Sequence, residues 1–257
     1  MNRTEDYFDG QFAQYDENRG NAWGMNWRAY MVLRADAIQS VFEKIANKKE
    51  RPSILEIGCA SGDFTARCLP TIKKRRGYIH GVDLAQKAVD ICRERFAGVE
   101  ECSFSNGKLP ELNTGRKYDI ILCMDVMEYF DIGERDACYK NMAGLLDDGG
   151  VLLLQMPLAG ENAVQVREQL EKFYEIRKTE YVFGQLWYEL FENRLCWAVD
   201  ALYFRKRGIP FDWFGKMAYR LMKNKKLVGI FFRINKRIFP RKRSHIVMVC
   251  TKKGQGR

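Results

Sequence analysis

The sequence holds 257 residues, 46% of them hydrophobic and 13% aromatic, with 21 glycines and 6 prolines. That is enough apolar material for a sizeable core, and it excludes a wholly disordered chain, a collagen-like repeat and a low-complexity protein. The net charge of +10 is unevenly placed: Trp213 to Arg257 carries 14 Lys and Arg without one Asp or Glu, so the residues before it sum to −4. An ordinary body is followed by a strongly cationic stretch that needs its own explanation.

No apolar run approaches the ~18 residues of a membrane span, and Met1 to Gly10 lacks the apolar stretch of a secretory signal. Eight cysteines stand singly, with no C-x-x-C and no metal-ligand spacing. That pattern suits small core thiols in a reducing cytosol, and no metal site is expected.

The elements follow in chain order. Aromatic and Asp/Asn/Gly clusters fill the first 26 residues. Arg28 to Lys48 has apolar residues at helical spacing. Ser53 to Ile57 is a buried strand leading into a glycine turn and a helix to about Arg67. Tyr78 to Val82 is a second strand, Gln86 to Phe96 a helix, and Glu101 to Phe104 a weak third strand. Tyr118 to Met124 is a continuous apolar strand, Gly133 to Leu146 a helix, and Val151 to Met156 a fifth strand. Val164 to Arg177 and Gln185 to Asn193 read as helices, Leu195 to Phe204 as a sixth strand and Ser244 to Thr251 as the last. Strands alternating with helices predict a parallel sheet covered on both faces, with ligands beyond the C-terminal ends of the strands.

The segment Ile54 to Thr65, ILEIGCASGDFT, has the chemistry of a nucleoside site. Glycines at 58 and 62 allow a sharp turn and close approach of a ligand, and the following helix offers free N–H groups. Asp83 ends the second strand, where a carboxylate accepts bonds from both ribose hydroxyls. The G-x-G-x-x-G spacing of dinucleotide sites and the G-x-x-x-x-G-K-[ST] of phosphate loops are both absent, so the ligand is nucleoside-like and not a pyrophosphate. The competing reading is a tight strand-to-helix turn beside an exposed acid.

EIGCASG followed by GVDL resembles the class I S-adenosylmethionine-dependent methyltransferases, and the likeness continues through Leu109-Pro110, YDIILCMDVMEYF at 118–130 and LLDDGGVLLLQMP at 145–157. The resemblance implies a Rossmann-like, doubly wound α/β fold with a seven-stranded, mostly parallel sheet. It implies one domain over 1–257 with an N-terminal lid at 1–27 and a basic amphipathic insertion at 205–243. The implied cofactor is S-adenosyl-L-methionine. Glu56 and the turn Gly58, Cys59, Ala60 and Gly62 would hold its methionine part, Asp83 its ribose and Leu84 its adenine. Ser105 and Asn106 flank the place of the usual adenine-binding Asp, and Asn106 is the choice. Cys123 and Met124 would line the methionine side. Arg34, with Arg28 second, would meet the cofactor carboxylate, and Tyr15, beside Asp16, would close over it.

For the chemistry, the loop after the fourth strand offers Asp125, Glu128 and Tyr129. CMDVMEYF resembles the motif of ubiquinone-type O-methyltransferases and of sugar N-methyltransferases. Tyr129 stands where the former carry a His, which removes a metal ligand. Asp125 and Glu128 are the candidate catalytic residues, with helix capping or a salt bridge as the alternative for Glu128. His80 and His245 fall at or near strand starts and read as structural.

Between Phe211 and Pro240, Phe214, Met217, Ala218, Leu221 and Met222 fall at helical spacing, and Leu227, Ile230, Phe231 and Ile234 repeat it. Lys216, Arg220, Lys223, Arg233, Lys236 and Arg237 lie between them. Two amphipathic helices are predicted. Their cations are either a solvated face, an anchor at 213–243 for an anionic membrane surface, or an RNA contact. RNA is disfavoured, because no basic track leads to the chemistry and no RNA-binding motif is visible. The expectation is a methyltransferase acting on a hydroxyl or amine of a small molecule, glycan or lipid-linked sugar, cytoplasmic and peripheral on the inner face of a membrane. The alternatives are an RNA methyltransferase and a non-catalytic nucleoside-binding module.

Overall fold

The computed structural model describes residues 5–13, 28–158, 163–199, 202 and 212–253. Helix α1 spans Glu5–Phe12 and α2 Ala29–Ala46. Strand β1 (Ser53–Ile57) leads to α3 (Asp63–Arg75), β2 (Tyr78–Asp83) to α4 (Gln86–Arg95), and β3 (Cys102–Asn106) to β4 (Tyr118–Met124). A short 3-10 turn at Met127–Tyr129 precedes α5 (Ile132–Leu145), β5 (Leu146–Pro157), α6 (Ala163–Leu170) and β6 (Tyr174–Val182). Helices α7 (Gln185–Trp187) and α8 (Asn193–Ala198) are joined by a π-helical segment, Tyr188–Glu192. Then come α9 (Asp212–Lys223), α10 (Lys225–Ile238) and β7 (His245–Lys252).

The seven strands form one sheet in the order β3-β2-β1-β4-β5-β7-β6. The first five run parallel, and β7 enters antiparallel beside β5, with Pro157 opposite His245 and Val151 opposite Thr251. β1, β4 and β5 supply the centre of the core, because Ile54, Leu55, Ile120, Ile121, Leu122, Leu152, Leu153 and Leu154 are all buried. Strands covered on both faces carry such runs instead of alternating polar and apolar residues.

Three expectations change. The sixth strand is Tyr174–Val182, not Leu195 to Phe204, and the helix expected at Val164 to Arg177 stops at Leu170. The apolar stretch after Leu195 is helical through Ala198 because it is buried on its own partners: Ala198, Val199 and Leu202 pack on Ala218 and Met222 of α9. Helix α3 also runs beyond Arg67 to Arg75, carrying Pro70 inside it.

The chain divides into two compact units, one from the described parts of Met1–Gly24, Ile38–Glu180 and His245–Arg257, the other from those of Met25–Ala37 and Tyr181–Ser244. The first contains the sheet core. The second has its own core around Tyr30, Trp187 and Val228.

Candidate functional site

The strand order reverses between β1 and β4, so the crevice of this sheet opens beyond the C-terminal ends of those two strands. The turn after β1 shapes one wall. Gly58 and Gly62 have φ of 76° and 74°, and Ala60 shares the left-handed region at 49°. A Cβ on Gly58 would lie 2.4 Å from Val126 Cγ2, and one on Gly62 2.5 Å from Phe96 Cε2. Glycine is required at both on two grounds, conformation and space.

Asp83 fastens this turn. Its Oδ2 accepts from Ala60 N at 2.8 Å and its Oδ1 from Ala85 N at 2.9 Å. Burial raises the Asp83 pKa, and those backbone N–H groups oppose the rise. The carboxylate is thus aimed by main chain, and each oxygen keeps a lone pair for a hydroxyl. At the neighbouring strand end Asn106 sits opposite Asp83 and donates its amide N–H to Leu84 O at 2.7 Å and Asp83 O at 3.2 Å. Its amide oxygen is left as an acceptor beside Leu84.

Glu56 lies buried at the root of the turn, where the Thr65 hydroxyl donates to its Oε2. Burial pushes its pKa up to about 8, with the charges of Asp63 and Asp83 adding to the rise.

The second wall is the loop after β4. Asp125 adopts φ 53°, a conformation that non-glycine residues enter only when their surroundings hold them there. Its N–H donates to Gln155 O at 3.1 Å, and its Oδ1 accepts from Gln155 Nε2 at 2.7 Å. His245 Nε2 is 3.8 Å from the same oxygen. Glu128 and Tyr129 stand on the next turn, half-buried.

Helix α1 packs beside these loops. Phe8 and Phe12 join Ala60, Ala85, Ala88 and Ile91 in one apolar cluster, and the Phe8 ring meets Tyr129 edge-on at 5.1 Å. Asp9 Oδ1 accepts from Lys87 N at 2.9 Å, capping the first turn of α4, whose own N-cap residue is Ala85.

Strand geometry separates several expected site residues. Ser105 is on the face of β3 opposite Asn106; its hydroxyl bonds to His80 Nε2 at 2.8 Å, and His80 Nδ1 bonds to the Tyr118 hydroxyl at 2.8 Å. Burial lowers the His80 pKa, with Arg116 adding, in keeping with a structural role. The Cys59 thiol packs against Val89, Cys92 and Phe104, so only its backbone belongs to the turn. Cys123 is fully buried within the sheet, whereas Met124, next along the strand, is half-buried at its end. Arg28 pairs with the buried Glu192 at 3.3 Å within the second unit, and Arg34 belongs to that unit on α2. Tyr15 and Asp16 lie outside the described residues.

His245 and Gln155 are the residues that sequence reasoning missed. The start of a strand is far from the C-terminal edge only if the strand is parallel. β7 is antiparallel, so its first residue arrives beside Asp125. Among the described residues no cluster of three or more His, Cys, Asp or Glu is grouped to hold a metal ion.

Residues 55–152 match the family model described as a methyltransferase domain. Nodulation protein S of Rhizobium tropici is 27% identical over 100 residues, which are 38% of this chain and 40% of that protein. The chain thus spans less than half the length of the curated relatives it matches. The crystal structure of the N-methyltransferase NodS from Bradyrhizobium japonicum WM9, in complex with S-adenosyl-L-homocysteine, superposes with a TM-score of 0.58 at 19% identity, covering 72% of this chain and 92% of that one. Magnesium protoporphyrin IX methyltransferase from Synechocystis PCC 6803 with bound S-adenosylmethionine gives 0.55 at 20% identity, over 69% and 87%. At these identities the structures establish the fold. The stretch similar to a methyltransferase domain carries the turn fastened by Asp83, and the sheet has the fold of these methyltransferase structures.

Proposed function

We propose that the chain is an enzyme that moves a methyl group from S-adenosylmethionine to an amine or hydroxyl of a small molecule, glycan or lipid-linked sugar. The observation that carries this reading is the fastened turn: Gly58, Ala60 and Gly62 in left-handed conformations, with Asp83 gripped by Ala60 N–H at a topological switch point. A Cβ at Gly58 or Gly62 would strike Val126 or Phe96, so the turn keeps this shape only with glycine at both places. An amine is the better supported acceptor, since NodS, which shares this fold, is described as an N-methyltransferase.

Bound S-adenosylmethionine supplies a methyl group on a cationic sulfur that is already a good leaving group. The work left to the chain is binding, alignment and one proton. Asp83 takes the ribose hydroxyls, Asn106 offers its amide oxygen to the adenine amine, and the turn with Glu56 takes the amino-acid end. An amine acceptor is protonated at neutral pH and must lose that proton to become a nucleophile. Asp125 is the carboxylate set for it: backbone strain and the Gln155 amide fix its direction, and the His245 imidazole stands 3.8 Å away as the next proton carrier.

Titration calorimetry tests the reading. Wild type binds S-adenosylmethionine and its demethylated product, and Asp83→Ala weakens both about tenfold or more, the worth of bonds to a charged acceptor. Asp125→Asn keeps that affinity and lowers turnover of an amine acceptor by about a hundredfold. Wild type that binds neither compound, or Asp83→Ala that binds them equally well, refutes the proposal.

A further inference from the structure

One of the open readings of helices α9 and α10 has their apolar residues packed inward. Only some of them are. In α9, Ala218 and Met222 are buried, while Trp213 and Met217 are 61% and 51% exposed. In α10, Val228 and Asn235 form the buried side, and Asn235 pins the helix by accepting from Leu186 N at 2.8 Å and donating to Lys242 O at 2.7 Å. On the outer side Ile230, Ile234 and Ile238 follow at i, i+4 and i+8, exposed by 43%, 37% and 62%. Each helix is therefore apolar on two sides.

The outer face is also cationic. Lys216 and Arg220 share a side of α9 with Trp213 and Met217, and Arg233 and Arg237 flank the isoleucines of α10. From Trp213 to Ile238 there is no Asp or Glu. Among the described residues Arg233, Lys236 and Arg237 have no carboxylate partner. Arg233 and Lys236 also line an open groove of about 190 Å³ with Leu33, Phe183 and Phe232, again apolar wall beside cation.

We propose that this outer face of α9 and α10 is a docking surface for an anionic lipid bilayer, with the isoleucines, Met217 and Trp213 entering the interface and the Arg and Lys side chains lying among the headgroups. Charge complementarity and the exposed apolar stripe are what such surfaces select, and no helix among the described residues is long and apolar enough to cross. RNA accounts for the cations and not for three exposed isoleucines, which have nothing to offer a phosphate. A second copy of the chain would bring like charge against like charge. The proposal is independent of the methyl-transfer reading, and its test uses no methyl donor.

The full chain is floated with vesicles of phosphatidylcholine alone or mixed with phosphatidylglycerol, at low and at physiological salt. The protein is expected to rise with the mixed vesicles and to stay down with the neutral ones. Arg233→Gln and Arg237→Gln should each weaken partitioning about fivefold, the worth of one cation near an anionic surface. Ile234→Asp with Ile238→Asp should abolish it, with unchanged circular dichroism and melting temperature because all four positions face solvent. Protein that ignores both vesicles overturns the proposal, as does flotation that survives both sets of variants. Retention on single-stranded RNA with no flotation reassigns the face to nucleic acid and equally overturns it. A dimer broken by Ile234→Asp, again without flotation, does the same in favour of a second copy.

Discussion

Gly58 and Val126 show how tightly the two walls of the crevice are fitted. Alanine at 58 meets two penalties, a left-handed backbone at φ 76° and a Cβ only 2.4 Å from Val126 Cγ2. The first costs about 1–2 kcal/mol and the second adds to it. Gly58→Ala should lower the melting temperature and weaken cofactor binding, and the added change Val126→Ala should return only the steric share. A double-mutant cycle measured by thermal melts separates the two, and full additivity would show that the contact is not felt. Glu56 makes a prediction in pH. Its folded pKa of about 8 lies above its ordinary 4.5, so between those values the folded state holds more protons than the unfolded. Stability therefore falls as pH rises through that window and levels off above it. Glu56→Gln should remove this slope, a difference on the order of 3 kcal/mol at pH 7.5. Melts at pH 5.5 and pH 8 check it: the wild type loses more on going up than the variant. The places of Gly58, Asp83 and Asp125 at or beyond the strand ends were legible, because each directly follows or ends a buried apolar run. Ser105 and Cys123 were not, since neighbours in a strand face opposite sides and only the register says which side holds the ligand.

Among the elements, α1 is the most dependent on its surroundings. Eight residues are too few to hold a helix in water unaided. Its attachment rests on Phe8, Phe12 and the Asp9 cap on α4. Phe12→Ala removes about 3 kcal/mol of buried contact, more than so short a helix has in reserve. The expected outcome is early protease cleavage in the N-terminal segment while the rest of the chain melts as before; cleavage at the wild-type rate would show that Phe12 does not anchor it. Strands β1, β2, β4 and β5 could be read from their buried runs. β6 could not, because Tyr174–Val182 follows α6 with few buried positions and reads as the helix continuing. The helix after Leu195 was mistaken for the reverse reason: apolar on nearly every side, it loses the helical period that would identify it. The exposed stripe of α10 was hidden too, since periodicity counts apolar residues and does not say which are covered.

Over the whole molecule, sequence and architecture agree on a division of labour. The acidic and neutral body before Trp213 carries the fastened turn, and the charge that makes the chain basic is concentrated behind it. The class of sheet followed from strand-helix alternation. The position of its last strand did not, because no local signal tells a strand to return between two that were made long before. That return is why His245 was read as remote and lies beside Asp125.

The same late strand has a consequence for biosynthesis. β5 gains its outer hydrogen-bonding partner only when His245–Lys252 has left the ribosome, so Leu152, Leu153 and Leu154 wait at a raw edge while everything between is translated. A chain halted at residue 243 keeps every turn and carboxylate of the crevice and still leaves that edge open to its neighbours. Expressed alone, the fragment 1–243 should go into inclusion bodies to a greater extent than residues 1–257 do, and supplying 244–257 as a separate peptide during refolding should rescue it.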